Sequence, residues 1–260
     1  MKKNRYESII EGIFLDKYVD GNDIVEFNRT DIISKSAELD INLPKNIGDV
    51  IYSFKYRASL PVSITQKAQN GKEWVIKNIG RSLYCFQQVN YSRILPDMML
   101  STIKIPDSTP TIVAEHAFND EQALLTRVRY NRLIDIFTGA VCYSLQNHLR
   151  TTVPSVGQIE TDEIYVGVDR LGRQFIFPVQ AKGGKDELGI VQIEQDFLLC
   201  RHKYPNLICR PIATQFISND KIAIFEFVLE NNEVKKLQEK HYLLVGKGQI
   251  SVDELSNYNF

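Results

Sequence analysis

GQIETDEIYVGVDRLGRQFIFPVQAK, residues 157–182, carries Val, Ile, Phe and Tyr on both sides of Asp169-Arg170-Leu171-Gly172-Arg173. β-branched and aromatic residues favour strands, and Asp with Gly favours a tight turn. A strand, a turn and a second strand are expected. Successive side chains alternate faces along a strand, so Gln180 and Lys182 share a face at the end of the second. Antiparallel pairing across the turn brings that face towards Asp162. One carboxylate, one amide oxygen and one ammonium around a small volume suit a divalent cation and an attacking water.

With those residues in place, the hairpin resembles the catalytic hairpin of the PD-(D/E)XK nucleases. The variant is the one in which Gln replaces the acid before x-Lys, as in Mrr-like restriction enzymes. Asp162 matches the family's first metal-binding acid, Gln180 takes the place of the second, and Lys182 is the family lysine. Glu160-Thr161-Asp162-Glu163-Ile164 is also similar to the start of the motif in resolvase-like members. The resemblance covers roughly residues 119–229. It implies an α/β fold: a restriction-endonuclease-like mixed sheet flanked by helices. It also implies Mg²⁺ held by Asp162, the Gln180 side chain and the Ala181 carbonyl, with Lys182 activating water. Gln is a weaker ligand for a hard cation than a carboxylate. Glu160, or the helix residue Glu121, is expected to make up the difference. Strand parity puts Glu160 on the face of Asp162 and Glu163 on the other, which favours Glu160.

The activity the resemblance implies is metal-dependent hydrolysis of DNA phosphodiesters, with 5′-phosphate and 3′-hydroxyl products. A site-specific type II restriction endonuclease is the leading expectation. The alternatives are a modification-dependent enzyme, a repair or junction-resolving nuclease, and a DNA-binding regulator with an inactive nuclease domain. The expected partner is double-stranded DNA, cut by a homodimer.

The rest of the chain fits this frame. Its 260 residues allow one large domain or two smaller ones. Net charge is −1, which decides nothing about nucleic acid by itself. Cys85, Cys142, Cys200 and Cys209 lie in apolar runs without metal spacing, as buried thiols of a reducing compartment do. There is no signal-peptide pattern and no apolar run of spanning length. A cytoplasmic protein without a membrane partner is expected.

Residues 1–105 read as an α+β domain for DNA recognition. Helices are expected over 4–18, 31–38 (capped by Asn28 or Thr30) and 46–56, then a hairpin of 62–68 and 72–78 around Asn70-Gly71. Three helices followed by a hairpin is winged-helix order. Between 51 and 95, seven basic residues stand against one acid, Glu73. Such a patch attracts phosphates. Asn46, Ser53, Lys55, Arg57, Lys67, Lys72 and Lys77 are the candidates to contact DNA.

Residues 106–260 read as the nuclease domain, entered through the turn-rich linker Pro106–Pro110. A helix over 120–137 is expected, capped by Asn119 and stopped at Thr138-Gly139, and its arginines 127, 129 and 132 are expected on polar arcs. A strand follows at 140–150, then the hairpin. Gly183 and Gly184 are placed to let backbone approach a phosphate. A helix over 189–203 and strands at 207–217 and 221–228 complete the core, and Pro211 marks an edge or a bulge.

Overall fold

The computed structural model describes residues 5–116, 120–154, 156–183, 186–218 and 220–256. The chain divides into two compact units. The first is 1–94 with 152–159 and 189–191; the second is 95–151, 160–188 and 192–260.

The first unit runs α1 (Arg5–Lys17), β1 (Ile24–Asn28), α2 (Arg29–Glu38), α3 (Gly48–Tyr56), α4 (Val62–Thr65), β2 (Glu73–Gly80), β3 (Leu83–Val89) and β4 (Arg93–Ile94). Asn28 caps α2. Its Oδ1 accepts from the Thr30 and Asp31 N–H groups at 2.7 and 3.1 Å, and Asp31 Oδ2 accepts from the Asn28 N–H at 2.7 Å. That reciprocal arrangement satisfies donors a helix start leaves open. β1, β3 and β2 form an antiparallel sheet in that order. Ile9, Ile10, Ile13 and Phe14 of α1 line one helical face. They share a core with Phe54, Trp74 and Phe86.

Two expectations fail here. The run 62–68 is not a strand. After Pro61 it turns into α4, with the Ile64 and Thr65 N–H groups on the Pro61 carbonyl and Ile64 in the core. The hairpin is therefore β2–β3, closed at Arg81-Ser82 with Ser82 at φ 58°. Asn70-Gly71 does turn the chain, with Gly71 at φ 79°, but it leads from α4 into β2.

The second unit contains β5 (Thr102–Pro106), α5 (Thr111–His116), α6 (Glu121–Tyr130), α7 (Leu133–Thr138), β6 (Val141–Val153), β7 (Gly157–Val168) and β8 (Gln174–Lys182). β9 (Leu188–Gly189), α8 (Ile190–Lys203), β10 (Ile208–Cys209), β11 (Ile212–Phe216), β12 (Lys221–Glu230), β13 (Glu233–Val245) and α9 (Val252–Ser256) follow. Its open sheet has the order β5-β13-β12-β11-β8-β7-β6, with β10 also on β8. β7 and β8 are antiparallel, β8 and β11 parallel. Leu124, Leu125, Val128, Leu133, Ile134 and Phe137 of α6 and α7 pack on the face built by Phe175, Phe177, Val179 and Ala181. The result is a mixed α/β unit with an open sheet flanked by helices.

β5 pairs with β13 and the Asp107 N–H bonds to the Val245 carbonyl. The sheet thus starts before Pro106–Pro110, and the division falls earlier than the boundary expected at 105/106. The single helix expected over 120–137 is two. Arg132 takes φ 50° at the break, and buried Asn131 holds it there. Asn131 Nδ2 donates to the Arg127 carbonyl and Thr109 Oγ1, and its Oδ1 accepts from the Ser108 N–H. Asn119 lies outside the described residues; Asp120 caps α6. Gly139 ends α7 at φ 68°.

Pro211 is neither at a sheet edge nor in a bulge. β10 and β11 keep one register against β8, and continuing it places Pro211 opposite Pro178. Proline has no N–H to give a ladder. Two prolines facing each other concentrate that loss at one gap.

Candidate active site

The β7–β8 ladder runs from Val168↔Gln174 to Glu163↔Val179 and stops. At the next step two side chains replace main-chain pairing. Asp162 Oδ2 accepts from the Ala181 N–H at 2.8 Å, and Gln180 Nε2 donates to the Glu160 carbonyl at 3.2 Å. β11 holds β8 straight through Lys182 while β7 leaves it. Asp162 and Gln180 thus occupy the fork together. Ala181 is fully buried, with its N–H spent on Asp162.

The fork gathers charge. Lys182 Nζ lies 2.8 Å from Glu121 Oε1 in the first turn of α6. Burial pushes the Asp162 carboxyl above its usual range. The Ala181 N–H and Lys182 pull it back, and the Glu121 and Glu160 carboxylates push it further up. The Glu121 and Glu160 carboxylates thus oppose charge on Asp162, and Lys182 favours it.

Gly183 makes the Lys182–Glu121 pair possible. A Cβ there would stand 2.8 Å from the Asp120 carbonyl carbon and 2.9 Å from the Glu121 nitrogen. The glycine lets β8 meet the start of α6; its close approach is to this backbone, not to a phosphate as expected from sequence. Gly184 and Lys185 lie outside the described residues.

Glu160 shares the Asp162 face but is engaged by β6: His148 Nε2 at 3.1 Å and Arg150 at 3.0 Å. Glu163 is on the opposite face. It is fully buried and bound by Arg129 at 2.9 Å and Ser144 Oγ at 2.7 Å. Arg127 and Arg132 pair with Asp220 and Asp135. All three helix arginines are held by acids.

One participant was not anticipated. Asp196 of α8 is fully enclosed. It accepts from Thr161 Oγ1 at 2.6 Å, and Gln180 Nε2 lies 3.1 and 3.0 Å from its two oxygens. The available signal was position: three residues after Ile193 and three before Leu199, Asp196 sits on the apolar stripe of its helix, where an acid needs a partner.

Burial pushes the Asp196 carboxyl up to about 7; Thr161 and Gln180 pull against it, and Asp162 adds repulsion. The folded value exceeds the unfolded one, so the folded chain holds an extra proton between about pH 4 and the folded value. Stability from this group is present below that window and is lost as pH rises through it. In EDTA, the melting temperature of the wild type should fall more steeply from about pH 5 to about pH 8 than that of Asp196→Asn. Parallel profiles by calorimetry would refute this.

The candidates in the first unit divide. Lys55 is buried, with Nζ 3.1 Å from Asn78 Oδ1, and is not presented to a ligand. Lys67 and Lys72 pair with Asp20 and Asp23 at 3.6 and 3.2 Å. Those acids lie outside the 51–95 window, so that count overstated the patch. Asn46 turns inward on its own loop, bonding Asp49 and the Gly48 N–H. Ser53 and Lys77 are half-buried. Arg57 is exposed at the end of α3 over the Tyr52 ring, and Arg81 is exposed at the β2–β3 turn.

No family model, curated protein or solved structure matches this chain. Among the described residues no group of three or more His, Cys, Asp or Glu side chains is disposed to hold a metal. Asp162 and the Gln180 amide lie at the fork itself, while Glu121 is paired with Lys182 and Glu160 with His148 and Arg150. No helix among the described residues is long and apolar enough to cross a membrane. None of the four cysteines is in a disulfide.

Proposed function

We propose that the chain is a Mg²⁺-dependent DNA endonuclease of the PD-(D/E)XK kind, most simply a site-specific restriction enzyme of the cytoplasm. The observation that carries this reading is the fork. Asp162 and Gln180 replace the β7–β8 ladder at one point, and Lys182 reaches Glu121 beside them. The topology lends support: α6 and α7, then β6, β7 and β8, then α8, then β11 parallel to β8.

Asp162, the Gln180 oxygen and the Ala181 carbonyl would hold Mg²⁺, with Glu121 or Glu160 turning from its present partner. Bound there, the ion would lower the pKa of water and offset charge on the phosphate. Lys182 would orient the attacking water and offset charge on the scissile phosphate. Glu121 keeps the ammonium beside Asp162, and the Ala181 N–H fixes one Asp162 oxygen so that the other faces the site.

In the first unit, the order α1-β1-α2-α3-α4-β2-β3 with sheet order β1-β3-β2 supports a winged helix. α3 would enter the groove and the β2–β3 turn would lie on the backbone. Arg57→Glu with Arg81→Glu should weaken duplex binding alike across sequences and reduce the salt slope by about 2. An unchanged slope would remove these residues from the interface.

The pairing of Glu121 with Lys182 and of Glu160 with His148 and Arg150 favours one second reading, a DNA-binding regulator with an inactive nuclease unit. Plasmid incubated with Mg²⁺ separates them. Discrete fragments mean a site-specific cutter, and cleavage of methylated plasmid alone means a modification-dependent one. Binding without cleavage, with Mg²⁺ or Mn²⁺, overturns the nuclease reading. Linear products rather than nicks would fit two-strand cutting by a homodimer.

A further inference from the structure

Gln180 Nε2 carries two hydrogens, and both are committed. One meets the Glu160 carbonyl at 3.2 Å; the other lies between the two oxygens of Asp196, at 3.1 and 3.0 Å. With Thr161 Oγ1 and Gln180 Nε2 both donating to it, the Asp196 carboxyl acts as the acceptor here. Asp196 therefore selects the nitrogen end of the Gln180 amide, and Thr161 Oγ1, 2.6 Å away, holds Asp196 in turn. All three side chains are buried. Among the described residues the Gln180 oxygen meets only a long contact from Gln192 Nε2, at 3.4 Å. An amide oxygen has two lone pairs, so it keeps capacity for a ligand.

We infer that Asp196 is the positioning residue of this site: it turns the Gln180 amide so that oxygen is the atom offered as ligand, and it is why position 180 is glutamine. The inference rests on the nuclease reading. A glutamate at 180 would set acceptor against acceptor inside an enclosed space, although it would add a charge that favours a cation. The missing negative charge of the motif is thus one layer back, on α8, joined to the site through an amide. An asparagine at 196 would restore a donor opposite a glutamate, while its oxygen could still accept from Thr161.

The test compares four full-length proteins: wild type, Gln180→Glu, Asp196→Asn, and the two substitutions combined. Mn²⁺ binding is measured by calorimetry without DNA, and thermal unfolding is measured in EDTA. Gln180→Glu alone should bind Mn²⁺ at least about tenfold more weakly than the combined variant, the scale on which partners of metal ligands act. Asp196→Asn alone should bind Mn²⁺ more weakly than wild type, because an amide at 196 offers both donor and acceptor and no longer selects the nitrogen end of Gln180. If Gln180→Glu alone fails to fold, recovery of folding and binding by adding Asp196→Asn supports the pairing; no recovery overturns it. Gln180→Glu binding as tightly as the combined variant overturns this inference and leaves the nuclease reading standing. No Mn²⁺ binding by any of the four overturns both.

Discussion

Lys182→Ala is expected to abolish Mg²⁺-dependent cleavage of duplex DNA while leaving the fold intact. The side chain lies at the end of β8 and is 15% exposed, with its ammonium on Glu121 and its charge acting on Asp162. Removing one preorganised group that stabilises transition-state charge costs about 10²–10³ in rate. Here the change also strips the Lys182 charge that lowers the Asp162 pKa, leaving Glu121 and Glu160 to repel it. Asp162 would then take a proton more readily, and residual activity should move to higher pH. Circular dichroism and melting should match the wild type, because β8 keeps its main-chain pairing to β11 through Lys182. Cleavage at wild-type rate would reject the assignment of Lys182.

Gly183→Ala is expected to lower the cleavage rate by about 10²-fold without replacing any proposed ligand. The added Cβ would fall 2.8 Å from the Asp120 carbonyl carbon and 2.9 Å from the Glu121 nitrogen. These are main-chain atoms at a capped helix start, with Asp120 Oδ1 accepting from the Ala123 N–H. They cannot swing aside as a flexible side chain would. Either α6 or the end of β8 must shift, and Lys182 parts from Glu121. Overpacking of this kind costs about 1–3 kcal/mol, so the melting temperature should drop as well. Stability and rate together distinguish this from loss of a ligand. An alanine variant with wild-type rate would show that the Lys182–Glu121 pair does not matter.

The hairpin was legible because its signals are local. Alternation over 157–168 and 174–182, and the Asp and Gly of the turn, are set by neighbours in sequence. Asp169 Oδ1 accepts from the Leu171 and Arg173 N–H groups, and Gly172 takes φ 77°, as such a turn requires. The side-chain parity of Gln180 with Lys182, and of Glu160 against Glu163, follows from the same period. What could not be read was what lies across the fold. Nothing near Asn131 in sequence says that it ties down residues 107–109 and breaks a helix. Nothing near Lys67 or Lys72 says that Asp20 and Asp23 neutralise them. β1 was missed because IVEFN is short and follows a turn; its partner β3 lies far along the chain. The 62–68 run has the composition of a strand, but Pro61 and the burial of Ile64 favour a helical turn. Asp196 carried a visible anomaly, an acid on an apolar stripe, yet its partner Gln180 lies on another element.

The most direct measurement is a crystal structure of the full chain with duplex DNA and Ca²⁺, which occupies such sites without supporting cleavage. The account predicts one cation at ordinary calcium–oxygen distance, about 2.4 Å, from Asp162 Oδ1 and Gln180 Oε1, with a DNA phosphate beside it and the Gln180 nitrogen still on Asp196. A phosphate and cation bound elsewhere, with the fork between β7 and β8 holding neither, would contradict it.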